Sequence, residues 1–154
     1  MKTNSQNFNA LNDSCKQLQT NECNHCSWTT CYNDIFFIQE LMKKMRNHHE
    51  IDESKVVIIG GSNGGMFVNR LAGHVKASHF IPLYGNPPSE HYPSPDSSDV
   101  SHFLAYHGRN DREVPMDCGE SKDHYNYMSQ NETMSTWADV YSMSNDKDRQ
   151  MKQR

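Results

Sequence analysis

The stretch Lys55-Val56-Val57-Ile58-Ile59, followed at once by Gly60-Gly61-Ser62-Asn63-Gly64-Gly65-Met66-Phe67, constrains this chain more than any other. A short β-branched apolar run breaks into G-x-S-x-G and continues as a helical pattern, the arrangement of a nucleophile elbow. A serine on so sharp a strand-to-helix turn carries strained backbone angles, and the turn needs small residues. Gly60 and Gly64 are expected where a Cβ would clash between strand and helix. Ser62 Oγ would then project from the top of a sheet. The backbone N–H of Asn63, in the first helical turn, would face a developing oxyanion. Gly-rich turns of this kind also cradle phosphate. That reading is disfavoured because no Lys follows the glycines as in a P-loop, no full G-x-G-x-x-G is present and no basic partner lies nearby.

A second stretch extends the pattern. His102-Phe103-Leu104-Ala105-Tyr106-His107-Gly108 reads as a buried strand running into Arg109-Asn110-Asp111-Arg112-Glu113-Val114-Pro115. In serine hydrolases of this type the triad acid follows the nucleophile in chain order, on a loop past a later strand. Asp111 fits that position. An aspartate in such a loop also commonly caps a turn, so both roles stay open for it.

The pair "GGSNGGM" and "HGRNDREVP", with "NDIFFIQELM" upstream, resembles the polyhydroxybutyrate depolymerase and feruloyl esterase-like family of α/β-hydrolases. The resemblance runs from about Trp28 to about Tyr141. It implies Ser62 as nucleophile, Asp111 as triad acid, and a helix opened by Asn33-Asp34-Ile35 before the elbow strand. It also implies an often secreted enzyme acting on short-chain polyhydroxyalkanoate or plant-type aryl esters, with no cofactor. His107 and Tyr84 fall at strand ends near the site and are read as packing residues.

The chain departs from that family at both ends. The family's histidine lies beyond a further helix and a last strand, in a glycine-rich loop. After Asp111 this sequence holds a single histidine, His124, in the polar run Cys118 to Tyr125. A surface histidine is the better reading of it, and a triad base the weaker one. Asn131 to Val140 resembles the family's following helix, and Ser142 to Gln150 has no strand character. Met1 to Gln19 is rich in Asn, Ser, Gln and Lys where the family has its first strands. The expectation is a partial α/β-hydrolase core, a parallel sheet with flanking helices that lacks its first strands and last strand. Residues 1–27 would be a polar lead segment, 28–143 the core and 144–154 a polar tail.

Composition agrees with a partial core. Hydrophobic residues make up 34% of the chain and mean hydropathy is −0.91, against roughly 45–50% apolar, glycine included, in ordinary domains. A net charge of −4 with mixed signs argues against a nucleic-acid or membrane partner. Cys15, Cys23, Cys26 and Cys31 crowd the first third, with Cys118 apart. Cys23-Asn24-His25-Cys26 has zinc spacing but lacks the second ligand pair of a structural site, so no metal is expected. Disulfides fit the resemblance better. Asn12-Asp13-Ser14 and Asn131-Glu132-Thr133 match glycosylation sequons. Met1 to Ala10 has no apolar signal region, so an extracellular location attaches to the parent enzyme rather than to this sequence.

The periodicity predicts a helix from Asn33 or Asp34 to about Asn47, with Ile35, Ile38, Leu41, Met42 and Met45 on one face. A buried strand is expected from Lys55 to Ile59, and a helix from Asn63 to about Val75 with Met66, Phe67, Leu71 and Val75 inward. Further strands are expected over His79–Tyr84 and Ser101–His107, with a loop over Ser89–Val100 between them. Alternation of strand and helix implies a parallel sheet. The functional expectation is a serine carboxylic ester hydrolase whose base histidine is not found, acting on a small or polymeric ester. The competing expectation is a non-catalytic binding protein that keeps the fold.

Overall fold

The computed structural model of this chain describes residues 33–48, 50–89, 100–117, 119–121 and 126–140. The five cysteines, His124, and most of the Ser89–Val100 loop lie outside the described residues, as do the polar lead segment and tail.

Helix α1 spans Asp34–His48. Asn33 caps it, its Oδ1 accepting from the Phe36 N–H at 3.0 Å, which satisfies one of the donors a helix start leaves over. Ile35, Ile38 and Met42 pack on the core. Leu41 and Met45, expected beside them, are exposed, as are Phe36 and Phe37. The inward stripe is therefore Ile35, Ile38 and Met42 alone, two residues fewer than the periodicity suggested.

After a 3-10 turn over Glu53–Lys55 the chain enters β1, Val57–Gly61, then α2, Asn63–Leu71, and β2, Ala77–Leu83. Strand β1 sits two residues later than expected, and α2 ends at Leu71 rather than near Val75. Val75 is buried nonetheless, its N–H folded back onto Leu71 O at 3.2 Å in the turn that closes the helix. Strand β3 is Val100–Phe103. Its ladder continues past the regular strand, with the Tyr106 N–H donating to Pro82 O at 3.1 Å and the Tyr84 N–H to Tyr106 O at 2.7 Å.

The three strands form one parallel sheet in the order β1-β2-β3. The fold is therefore mixed α/β, with a three-stranded parallel sheet flanked by helices. Register places Ile58, Phe80 and Phe103 in one row across the sheet. Side chains alternate faces along a strand, and this row faces Phe67, Val68 and Leu71 of α2 in the main core. The neighbouring row, Val57, His79 and His102, points to the other face. There Val57 is 50% and Ile59 61% exposed, so β1 is buried on one face only, not on both as its apolar run suggested.

The chain closes with a two-residue antiparallel hairpin, β4 (Gly119–Glu120) and β5 (Asn126–Tyr127), and a helix over residues 130–140, α3. Ser129 and Glu132 build a reciprocal cap. The Ser129 N–H and hydroxyl both donate to Glu132 Oε2 at 2.8 Å, and the Glu132 N–H donates to Ser129 Oγ at 3.1 Å. Trp137 of α3 stacks on Phe103 at 4.8 Å between ring centroids, joining the last helix to the third strand.

Two expectations follow. Phe80 is fully buried at the centre of the sheet, so Phe80→Ala should cost about 3–5 kcal/mol in a denaturant titration. The hydrogen bonds from the Ser129 N–H and then its hydroxyl hold the Glu132 carboxyl below its ordinary range. A depressed carboxylate stabilises the fold above its unfolded-state pKa, and that contribution disappears as pH falls through the folded value. Carboxyl-carbon NMR titration should show the Glu132 midpoint moving part of the way back up in Ser129→Ala, since the backbone donor remains.

Candidate active site

The site grows from the junction of β1 and α2. Ser62 sits between them with φ 53° and ψ −125°. It is one of two non-glycine residues with positive φ among the described residues, the other being Tyr84 at 38°. Such conformations cost on the order of 1–3 kcal/mol each and persist only where the surroundings over-determine them. Here the surroundings do so. The Ser62 N–H donates to Leu83 O at 3.0 Å, and Ser62 O accepts from the Met66 N–H at 3.0 Å.

A serine at a helix N-cap ordinarily turns its hydroxyl onto the first-turn N–H groups. Ser62 makes no such bond. Its hydroxyl stands exposed at the C-terminal end of the sheet, where open α/β sheets gather ligands. Asn63, which opens α2, is buried, and its backbone N–H lies at the positive end of the helix dipole.

Glycine is required at some of these positions and not at others. A Cβ on Gly60 would meet the Gly64 carbonyl, with its carbon 2.6 Å away and Val68 Cγ2 at 3.0 Å. On Gly65 it would meet Leu83 O at 2.8 Å and Gly85 Cα at 3.1 Å. At Gly64 it would meet nothing within 4 Å. The expectation for Gly60 therefore holds sterically, whereas that for Gly64 is corrected. The helix turns the hydrogens of Gly64 outward and those of Gly65 toward the strand ends, so the crowded glycine is one residue further on.

Asp111 lies past the end of the third strand. The bridge between Leu83 and Tyr106 and the pairing of Gly61 with Leu83 set Ser62 and His107 at one end of the sheet. Two strand spacings separate them, roughly 10 Å. Asp111 Oδ1 accepts from the N–H groups of Glu113 at 2.9 Å and Val114 at 3.1 Å. The aspartate thus caps its own turn, as loop aspartates do. Its second oxygen, Oδ2, has no hydrogen-bond donor within reach among the described residues, the nearest imidazole nitrogen being His107 Nε2 at 3.7 Å.

His107 holds this loop from beneath. Its side chain is 1% exposed, and its Nε2–H donates to Val114 O at 2.6 Å. Val114 in turn packs with Met66 of the elbow helix and Tyr127 of β5 in a second apolar cluster. The acid loop and the elbow helix are therefore parts of one packed unit. Tyr84 is exposed, and its hydroxyl lies over β1, where a Cβ on Gly61 would come within 2.5 Å of it.

Two asparagines that sequence reasoning passed over tie the pieces together. Asn69, buried in α2, donates through Nδ2 to Gly65 O and Gly85 O, both at 3.1 Å, and accepts from Trp137 Nε1 at 3.3 Å. Asn86, also buried, donates to Pro115 O at 3.3 Å and Met116 O at 3.4 Å. The available signal for Asn69 was a polar residue next to Val68 within the apolar stretch of a helix. Asn86 carried none, since Gly85-Asn86-Pro87-Pro88 reads as an ordinary turn. His124, the weaker base candidate, is outside the described residues, and His79, His102 and His107 bond to groups other than Ser62. Among the described residues no group of three or more His, Cys, Asp or Glu side chains gathers to hold a metal, and no helix is long and apolar enough to cross a membrane.

No family model, curated protein or solved structure matches this chain.

The two glycine environments separate cleanly by mutation. Gly60→Ala should cost about 1–3 kcal/mol through forced overlap of strand and helix. Gly64→Ala should be neutral or stabilising by up to about 1 kcal/mol, because alanine is the better helix former. Equal losses at both positions in thermal or denaturant unfolding would contradict the packing described.

Proposed function

We propose that this chain carries the nucleophile and acid of a serine carboxylic ester hydrolase of the α/β-hydrolase type, similar to polyhydroxybutyrate depolymerases and feruloyl esterases. The observation that carries the reading is the backbone of Ser62. A strained serine between a parallel strand and a helix, its hydroxyl turned away from the cap it could have made, is the conformation that nucleophile attack requires. Asp111, on the next loop but one at the same sheet end, supports it with a carboxylate oxygen left over after its turn is capped.

In this reading Ser62 Oγ attacks the ester carbonyl while a histidine takes its proton. Asp111 Oδ2 accepts the imidazole N–H and stabilises the imidazolium. The Asn63 N–H stabilises the tetrahedral oxyanion. The base is supplied from outside the described residues. The substrate is a small or polymeric ester, and the chemistry calls for no metal and no cofactor.

Mass spectrometry of Ser62 after exposure to a p-nitrophenyl short-chain ester tests the proposal. Acylation of the chain by itself should be slow, because without a base only the oxyanion donor and binding contacts remain, roughly 10³–10⁴-fold over water. Added imidazole should accelerate it, and Ser62→Ala should abolish it. Rapid acylation that needs no imidazole and is lost in His124→Ala would assign the base to His124. No acyl-Ser62 under either condition would favour a non-catalytic binding protein.

A further inference from the structure

The sheet face that looks away from the main core carries three rows of side chains. Val57, His79 and His102 form the first. In the second, Ile59 pairs with Ile81, and Leu104 follows on β3's extension, its N–H donating to Phe80 O at 3.0 Å. Gly61, Leu83 and Tyr106 form the third, with the Tyr84 hydroxyl over Gly61. Val57, Ile59, Tyr84, Leu104 and Tyr106 are 50, 61, 47, 46 and 63% exposed.

This is more apolar surface than a parallel sheet ordinarily leaves bare, since such sheets are covered on both faces. Large side chains carry roughly 150–250 Å² each. With His102 exposed and His79, Ile81 and Leu83 half-buried, the face therefore presents roughly 700 Å². The largest patch on a typical monomer is about 300–600 Å². Two such faces together offer roughly 1,400 Å², inside the roughly 1,200–2,000 Å² that stable interfaces bury.

The chemistry of the face selects its occupant. No carboxylate, ammonium or guanidinium group stands in the three rows, so it has nothing to pair with a charged partner. It also has nothing to repel a second copy of itself, which a two-fold contact would lay on the same residues. Twisted sheets stack face to face about 10 Å apart with their strands within about 30°, and two equal three-stranded faces cover one another. The surface is also set in advance of contact. The His79 and His102 rings stack at 4.5 Å between centroids and 11° from parallel, and both Nδ1 atoms bond to Ser78, at Oγ (3.0 Å) and O (3.3 Å). Little side-chain freedom is then lost there on association.

We propose that this face is the interface of a two-fold symmetric dimer, the sheets of two chains packed face to face with Ile59, Ile81 and Leu104 in the central row. The inference is independent of the esterase reading, since it uses none of Ser62, Asn63 or Asp111.

Sedimentation velocity of the full chain over a concentration series, under reducing conditions, tests it. Expected is a reversible equilibrium, the mass rising from 17.8 kDa toward twice that value. Ile59→Glu and Leu104→Glu should each weaken association about tenfold or more, because each buries an unpaired carboxylate in the interface. Neither should change the melting temperature of the dilute monomer, where both positions are exposed. Phe37→Glu, on the exposed side of α1, should leave association unchanged. A monomer at every concentration would overturn the dimer. If Ile59→Glu then lowers its melting temperature, the face is covered by another part of this chain; if it does not, the face belongs to a different partner. Association that Ile59→Glu and Leu104→Glu leave intact, or that Phe37→Glu weakens as much, would also overturn the proposed interface.

Discussion

Everything in the candidate site depends on how closely the end of β1 approaches the start of α2. The approach is possible because Gly60 presents only hydrogens to the Gly64 carbonyl, and Gly65 only hydrogens to the carbonyl oxygens of Leu83 and Gly60. Ser62, held between them by one hydrogen bond to β2 and one to α2, keeps a strained backbone and makes no side-chain cap bond. From that single constraint come the exposed hydroxyl, the position of the Asn63 N–H and the direction in which α2 leaves the sheet. The direction of α2 in turn decides which residues meet the acid loop, since Met66, one turn along, is the residue on which Val114 rests.

The loop that carries Asp111 is held differently. Strain plays no visible part there; backbone groups are satisfied one by one. Asp111 caps its turn, His107 donates to Val114 O, and Asn86 donates to the carbonyls of Pro115 and Met116. Buried polar groups cost free energy unless paired, and here each pairing also fixes a position. The same economy appears at Asn69, where one amide spans the elbow helix, the loop after β2 and Trp137 of α3.

The far face of the sheet behaves unlike the near one. Parallel sheets are usually covered on both faces, yet Val57, Ile59, Leu104 and Tyr106 are exposed in this structure. The histidine pair interrupts that apolar face. Its rings are neither buried for packing nor spread apart in solvent, and both are oriented by one residue, Ser78.

The sequence alone determined the local character of the elbow, because a β-branched run, a glycine-flanked serine and a helical pattern are short-range signals that act within a few residues. It likewise determined a helix cap at Asn33 or Asp34, the strand and helix order, and Asp111 as a loop carboxylate after the third strand. It could not decide which glycine is crowded, since Gly64 and Gly65 differ only in the side of α2 they occupy relative to Leu83 and Gly85. Nor could it show that Leu41 and Met45 face outward or that β1 is covered on one face only, because burial depends on which elements arrive from elsewhere in the chain. Asn69, Asn86 and the pairing of His79 with His102 belong to the same class. Each acts on residues distant in sequence, and only strand register and helix packing bring those partners within hydrogen-bond or stacking distance.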